Sequence, residues 1–85
     1  MLVEAGDVVA SRGEYATFQV QFNEEGRWWP CHLAFGGVWL VLDVEVPDPL
    51  SDRIVAMLLS ITDLDCKPWW VEGTLDEWCT LDKVN

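Results

Sequence analysis

The groups able to do chemistry in this 85-residue chain are three cysteines, one histidine and fifteen carboxylates. Cys31 and His32 stand side by side, and a strand points neighbours to opposite faces, so they predict no thiolate–imidazole dyad. Cys31 is expected as a small core residue and His32 as an exposed or interface one. No second histidine is present to complete a relay. Cys31, His32, Cys66 and Cys79 are the soft ligands, but structural zinc sites use close pairs on tight turns and these spacings are wide. Asp63-Leu64-Asp65 and Asp76-Glu77 are the paired carboxylates. Neither lies in the glycine-turned loop of an EF-hand. Asp63 and Asp65 are expected to solvate a helix end, and Asp76 and Glu77 to serve a helix N-terminus. No glycine-rich phosphate loop occurs. These residues predict a protein that is not an enzyme, with no catalytic set, no metal and no cofactor.

Charge and aromatics say more. Fifteen acids oppose five bases, for a formal charge of −10. Residues 1–42 carry five acids and two bases, a net of −3; residues 43–85 carry ten acids and three bases, a net of −7. Such a surface repels nucleic acid and anionic membranes and attracts basic protein surfaces. Stacking tryptophans bind single strands only along a basic groove, which five scattered cations do not make. Two Trp-Trp pairs occur, Arg27-Trp28-Trp29-Pro30 and Lys67-Pro68-Trp69-Trp70. On a strand only one member of each pair can enter a given core.

The elements that position these groups follow from periodicity. Asp7-Val8-Val9-Ala10 suggests a short strand. From Glu14 to Phe22, Ala16, Phe18, Val20 and Phe22 alternate with polar residues, the mark of a half-buried strand. Asn23-Glu24-Glu25-Gly26 reads as a hairpin loop. The next strand carries Trp29, Cys31, Leu33 and Phe35 on one parity. Gly36-Gly37 reads as a two-residue hairpin turn, and Val38 to Val46 as the third strand. That turn pairs Phe35 with Val38, Leu33 with Leu40, Cys31 with Leu42 and Trp29 with Val44. The first hairpin pairs Val20 with Trp29, Phe18 with Cys31 and Ala16 with Leu33. All pairs are apolar and share a face, which leaves Trp28, His32, Trp39, Val41, Asp43 and Glu45 on the other. Pro30 conflicts with a central strand because it has no ladder donor.

Pro47-Asp48-Pro49 then predicts a helix start, with Asp48 as cap and Pro49 in the first turn. Leu50, Ile54, Leu58 and Ile61 recur at helical spacing. Residues 63–73 read as a loop or short extended piece. Thr74-Leu75-Asp76-Glu77 has capping-box spacing for a short helix with Leu75, Trp78 and Cys79 inward. The fold class expected is α+β over a single domain, residues 1–85: a three-stranded antiparallel meander, four-stranded if residues 7–10 join, against one main helix, with a short C-terminal helix.

No apolar run approaches the roughly 18 residues a membrane span needs. Residues 1–7 carry acids where a secretory signal carries bases, and the odd cysteine count has no CxxC spacing, so a cytoplasmic protein with reduced thiols is expected.

In size and charge the chain resembles the small acidic inhibitors of phages and mobile elements, such as anti-CRISPR proteins and nucleic-acid mimics. It is similar in the same way to immunity proteins and antitoxins. No motif carries the likeness, so it transfers no residue role; it implies inhibition or neutralisation of a protein partner. The function expected is non-catalytic binding of a protein with a basic surface, such as one that itself holds nucleic acid. One candidate patch is Asp43, Glu45, Asp48 and Asp52 with Trp28 and His32; a second is Asp63, Asp65, Glu72, Asp76 and Glu77. A small-molecule module or enzyme accessory subunit, with Trp28, Trp39, Trp69 and Trp70 lining a pocket, is the alternative. A homodimer closing on an aromatic sheet face is a third reading.

Overall fold

Residues 53–60 form a strand where the sequence predicts a helix. The computed structural model describes residues 3–12, 17–21, 26–33, 36–63 and 65–84. Its elements are β1 (Val8–Ser11), β2 (Thr17–Gln21), β3 (Trp29–His32), β4 (Val38–Glu45), β5 (Arg53–Ser60), β6 (Trp69–Thr74), α1 (Leu75–Trp78) and β7 (Leu81–Lys83). The seven strands make one sheet in the order β3-β2-β6-β5-β4-β1-β7, with every neighbouring pair antiparallel. The α+β meander with a main helix is therefore overturned: one single-turn helix accompanies a seven-stranded sheet.

The helical spacing of Leu50, Ile54, Leu58 and Ile61 misleads because Ile54 to Leu59 is continuously apolar. Such a run fits any period, and one of four to eight residues between turn signals also suits a strand buried on both faces. Its β-branched pair Ile54-Val55 favours the pleated backbone. β5 sits in the middle of the sheet, with β4 on one side and β6 on the other. Ile54, Ala56 and Leu58 enter the core, while Val55, on the opposite parity, is buried outside the core cluster. Asp48 still caps, but it caps a turn: its Oδ1 accepts from Leu50 N–H at 3.0 Å and its carbonyl from Ser51 N–H at 3.0 Å.

The first hairpin forms in the expected register, with Phe18 opposite Cys31 and Val20 opposite Trp29. Its third pair, Ala16 with Leu33, lies outside the described residues. The second hairpin does not form. β4 pairs with β1 and β5, never with β3, so the expected pairs of Leu33, Cys31 and Trp29 with Leu40, Leu42 and Val44 are absent. Phe35 with Val38 falls outside the described residues. Gly36 does take the positive φ expected of it, 78°. It serves a crossing, however, in which Gly36 N–H donates to Ser11 O (3.3 Å) and Ser11 N–H to Gly37 O (3.0 Å). β3 is an edge strand, which resolves the Pro30 conflict, since an edge tolerates a missing donor.

With β3 removed from beside it, β4 takes the opposite facing. Trp39 and Val41 are buried in the core, and Leu42 is exposed. A β-bulge between Val41 and Asp43 lets Val41 and Val44 both turn inward, which strict alternation forbids. Leu42 and Asp43 are both left exposed on the outside.

One sheet with a core on one face and no second layer must curl over itself. Val9, Phe18, Val20, Trp39, Leu58, Val71 and Leu81, from six different strands, share one cluster. Ser11 Oγ in β1 donates to Leu33 O beyond β3 at 3.2 Å, so the two ends of the sheet meet. Trp78 plugs the interior: it is fully buried, its ring meets Phe18 edge-on with centroids 5.0 Å apart, and its Nε1–H donates to Ile54 O at 3.0 Å. Gly73 makes room for both aromatics, because a Cβ there would stand 2.7 Å from Phe18 Cδ1 and 3.3 Å from Trp78 Nε1.

The capping box also forms. Thr74 N–H donates to Glu77 Oε1 at 2.8 Å and Glu77 N–H to Thr74 Oγ1 at 3.2 Å. Of the three residues expected inward on α1, Trp78 is buried, whereas Leu75 and Cys79 are exposed. Among the described residues no helix is long and apolar enough to cross a membrane.

Candidate functional site

The outer face of the sheet can be written from the registers. One row runs Asp43–Met57–Trp70–Gln21 across β4, β5, β6 and β2. The next runs Glu45–Val55–Glu72–Gln19–Pro30 and reaches β3. Adjacent strands are about 4.8 Å apart, so neighbours in a row touch. Asp43 and Glu45 are exposed, Met57, Trp70 and Glu72 half-buried. The bulge adds Leu42 to this face. The result is an apolar ridge of Leu42, Met57 and Trp70 set among three carboxylates. Glu72 accepts from Arg53 Nη1 at 2.9 Å, and Asp43 Oδ1 accepts from the Val44 N–H at 2.9 Å.

The face continues into one end of the molecule. After Glu45 the chain enters the β4–β5 connection, where Val46, Asp48, Leu50 and Asp52 are all exposed. The Asp52 carbonyl accepts from the Leu75 N–H at 2.9 Å, which ties this connection to α1 and to the exposed Asp76. Glu77, also in α1, is spent on the capping box.

The two sequence-derived patches are thereby redrawn. Asp43 and Glu45 join Glu72, which came from the other patch, and Asp48 and Asp52 join Asp76 and Glu77. Asp63 and Asp65 lie in the β5–β6 connection, beyond the Ser60 end of β5, whereas Asp48 and Asp52 precede its Arg53 end. There Asp63 Oδ1 accepts from Asp65 N–H at 3.2 Å and Oδ2 from the Cys66 thiol at 3.2 Å. Both are turn residues, and no helix end exists for them to solvate. Trp28 precedes the edge strand β3 and His32 ends it, with β2, β6 and β5 between them and β4. The expected adjacency of Trp28 with Glu45 failed because it depended on the second hairpin. Leu42, Leu50, Met57, Trp70 and Leu75 are the surface residues that the sequence reading puts in neither patch; Leu42, Leu50 and Leu75 are expected there on buried faces. Pro47 and Pro49, which precede Leu50, predict a helix start and not a loop; a bulge leaves no mark of its own.

Cys31 turns toward the core and His32 outward, as alternation requires. Burial pushes the Cys31 thiol above its ordinary pKa. The Cys66 thiol is raised chiefly by its hydrogen bond to Asp63, then by desolvation and by the charges of Asp63 and Asp65. Both shifts move the thiol away from the nucleophilic thiolate. Asp7 moves the other way: the Glu4 N–H bonded to its Oδ2 at 2.9 Å holds the carboxyl below the usual aspartate value, helped by Lys83 Nζ at 3.2 Å and opposed by burial. Among the described residues, no three His, Cys, Asp or Glu side chains are grouped to hold a metal.

Comparison with protein families, with curated proteins and with solved structures found no match to the chain. The likeness in size and charge to phage inhibitors, anti-CRISPR proteins and immunity proteins thus gains no relative.

Proposed function

We propose that this protein is a non-catalytic binding protein that takes a protein partner with a basic surface onto the outer face of its sheet. One observation carries the reading: exposed Asp43 and Glu45, with Glu72 paired to Arg53 beside them, border an apolar ridge of exposed Leu42 and half-buried Met57 and Trp70. Carboxylates steer a cationic partner and select against wrong ones, while desolvated aromatic and apolar groups supply affinity. Four of the five cations are already engaged within the chain. Arg12, Arg53 and Lys83 pair with Asp82, Glu72 and Asp7, and Arg27 lies 5.5 Å from the centroid of the Trp29 ring. The acidic excess is therefore what a partner meets. The free cysteines suit a reducing compartment, and we place the protein in the cytoplasm.

A pocket lined by Trp28, Trp39, Trp69 and Trp70 finds less support. Trp39 and Trp69 belong to the inside of the sheet and Trp70 to the outside. Self-association through the ridge would bring Asp43, Glu45 and Glu72 of two copies together, and like charges oppose it.

The test is charge reversal, Asp43→Lys with Glu45→Lys, followed by capture of partners from the native host at low and high salt. Basic proteins held by the parent and lost from the variant are the expected result. Identical capture by both proteins rejects the reading.

A further inference from the structure

We infer that the β4–β5 connection is a presented anchor, in which Leu50 seats against an apolar stripe on a basic helix of the partner. This rests on the acidic-surface reading above and adds the partner's chemistry to it.

Leu50 is 97% exposed, so folding gains nothing from its side chain. Its backbone is nonetheless held. Asp48 accepts from the N–H groups of Leu50 and Ser51, the Arg53 N–H donates to Ser51 Oγ at 3.2 Å, and the Asp52 carbonyl is bonded to Leu75. Pro47 and Pro49, both preceding Leu50, remove further freedom on its N-terminal side. A loop already ordered loses little entropy on binding, which is how a lone side chain becomes an anchor. Two more apolar groups stand at this end, Val46 at 52% and Leu75 at 39% exposure.

Charge chooses the occupant. Exposed Asp48, Asp52 and Asp76 lie beside these three apolar groups. A second copy would meet its own carboxylates, and an anionic membrane would be repelled. The connection is a loop at the end of the sheet and offers no row of unpaired ladder groups, so an added strand has nothing to extend. A helix with leucines along one side and lysines or arginines flanking them matches both features.

The probe is an amphipathic Leu/Lys helical peptide of about 18 residues, five helical turns, titrated into the isotope-labelled full chain and followed by amide NMR. A Ser/Lys peptide of equal charge is the control. Expected are shifts concentrated at residues 46–52 and 75–76, weaker binding at high salt, and affinity lowered roughly ten- to a hundredfold by Leu50→Ser, the loss due to one buried leucine. Leu50→Ser leaves the fold intact, and an unchanged melting curve verifies that. Equal binding of the two peptides overturns the anchor. Shifts confined to Asp43, Glu45 and Glu72 and indifferent to Leu50→Ser overturn it too, while leaving the acidic-face reading standing. Absence of any binding by either peptide overturns both.

Discussion

On the inside of β4, β5 and β6, the side chains of Trp39, Val41, Ala56, Leu58 and Val71 are buried and capped by Trp78; on the outside of the same strands, Leu42, Met57 and Trp70 keep contact with water among Asp43, Glu45 and Glu72. Both faces are apolar in the middle. They differ in what closes over them. The inner face meets itself, because the sheet curls until Ser11 reaches Leu33. On the outer face only Val55 is buried to the same degree, while Leu42 is exposed and Met57 and Trp70 are half-buried. Equal hydrophobicity thus yields a core on one side and an interaction surface on the other, and curvature separates the two.

The contrast is broken most severely from inside. Trp78→Ala empties the plug and removes the hydrogen bond to Ile54 O, and should cost about 3–5 kcal/mol in urea unfolding. For a chain of this size that is a large share of the total, so a protein already unfolded in buffer is a consistent outcome. A Trp78→Ala protein as stable as the parent would show that the interior does not close on Trp78.

Gly73→Ala attacks the same place from the backbone side. Its methyl would stand 2.7 Å from Phe18 Cδ1, inside the range that packing tolerates. Overpacking of this kind costs roughly 1–3 kcal/mol. Combining Gly73→Ala with Phe18→Leu should recover part of the loss, because the smaller side chain gives way.

Asp7 tests the β1–β7 margin of the sheet by pH. Its folded pKa lies below the ordinary value of 3.8, first because of the Glu4 N–H and then because of Lys83. A depressed carboxylate pKa contributes stability that is fully present above the unfolded value and is lost as pH falls through the folded one. Asp7→Asn should therefore be less stable than the parent at neutral pH, and the gap should narrow as pH drops below about 3.8. A gap independent of pH would assign the effect to packing.

The outside should respond least. Leu42→Ser on the bulge should change stability by no more than about 0.5 kcal/mol, the usual range for surface substitutions, while weakening capture of the basic partner. A loss as large as that of Gly73→Ala would mean that the outer ridge is a second core.

Local chemistry made several elements legible from residues alone. The alternation of Phe18 and Val20 put them on the inner face of β2, opposite Cys31 and Trp29 of β3; residues 23–25 of the expected loop lie outside the described residues. Thr74 and Glu77 announced α1, since a capping box needs only four residues in sequence. Pro30 objected to a central strand, but the glycine pair at 36–37 argued for one, and only the sheet order shows the edge. The candidate site was legible only in part: Asp43 and Glu45 share a face, as alternation and a bulge allow, but Glu72 reaches them through β5 and β6.

What the amino-acid order determined alone is a set of short-range choices: that residues 17–21 and 29–32 are extended and pair, where the capping box at Thr74 falls, and that the charge is acidic. The tertiary structure decided which strands became neighbours, that Ile54 to Leu59 is extended, and which side of β4 is wet. The physical reason is the same in each case. A stretch apolar at every position satisfies helix and strand alike and buries either parity equally well, so its periodicity holds no choice. Only the partners on β1, β5 and β6, distant in the chain, supply the hydrogen bonds and the curved interior that make one arrangement lower in free energy.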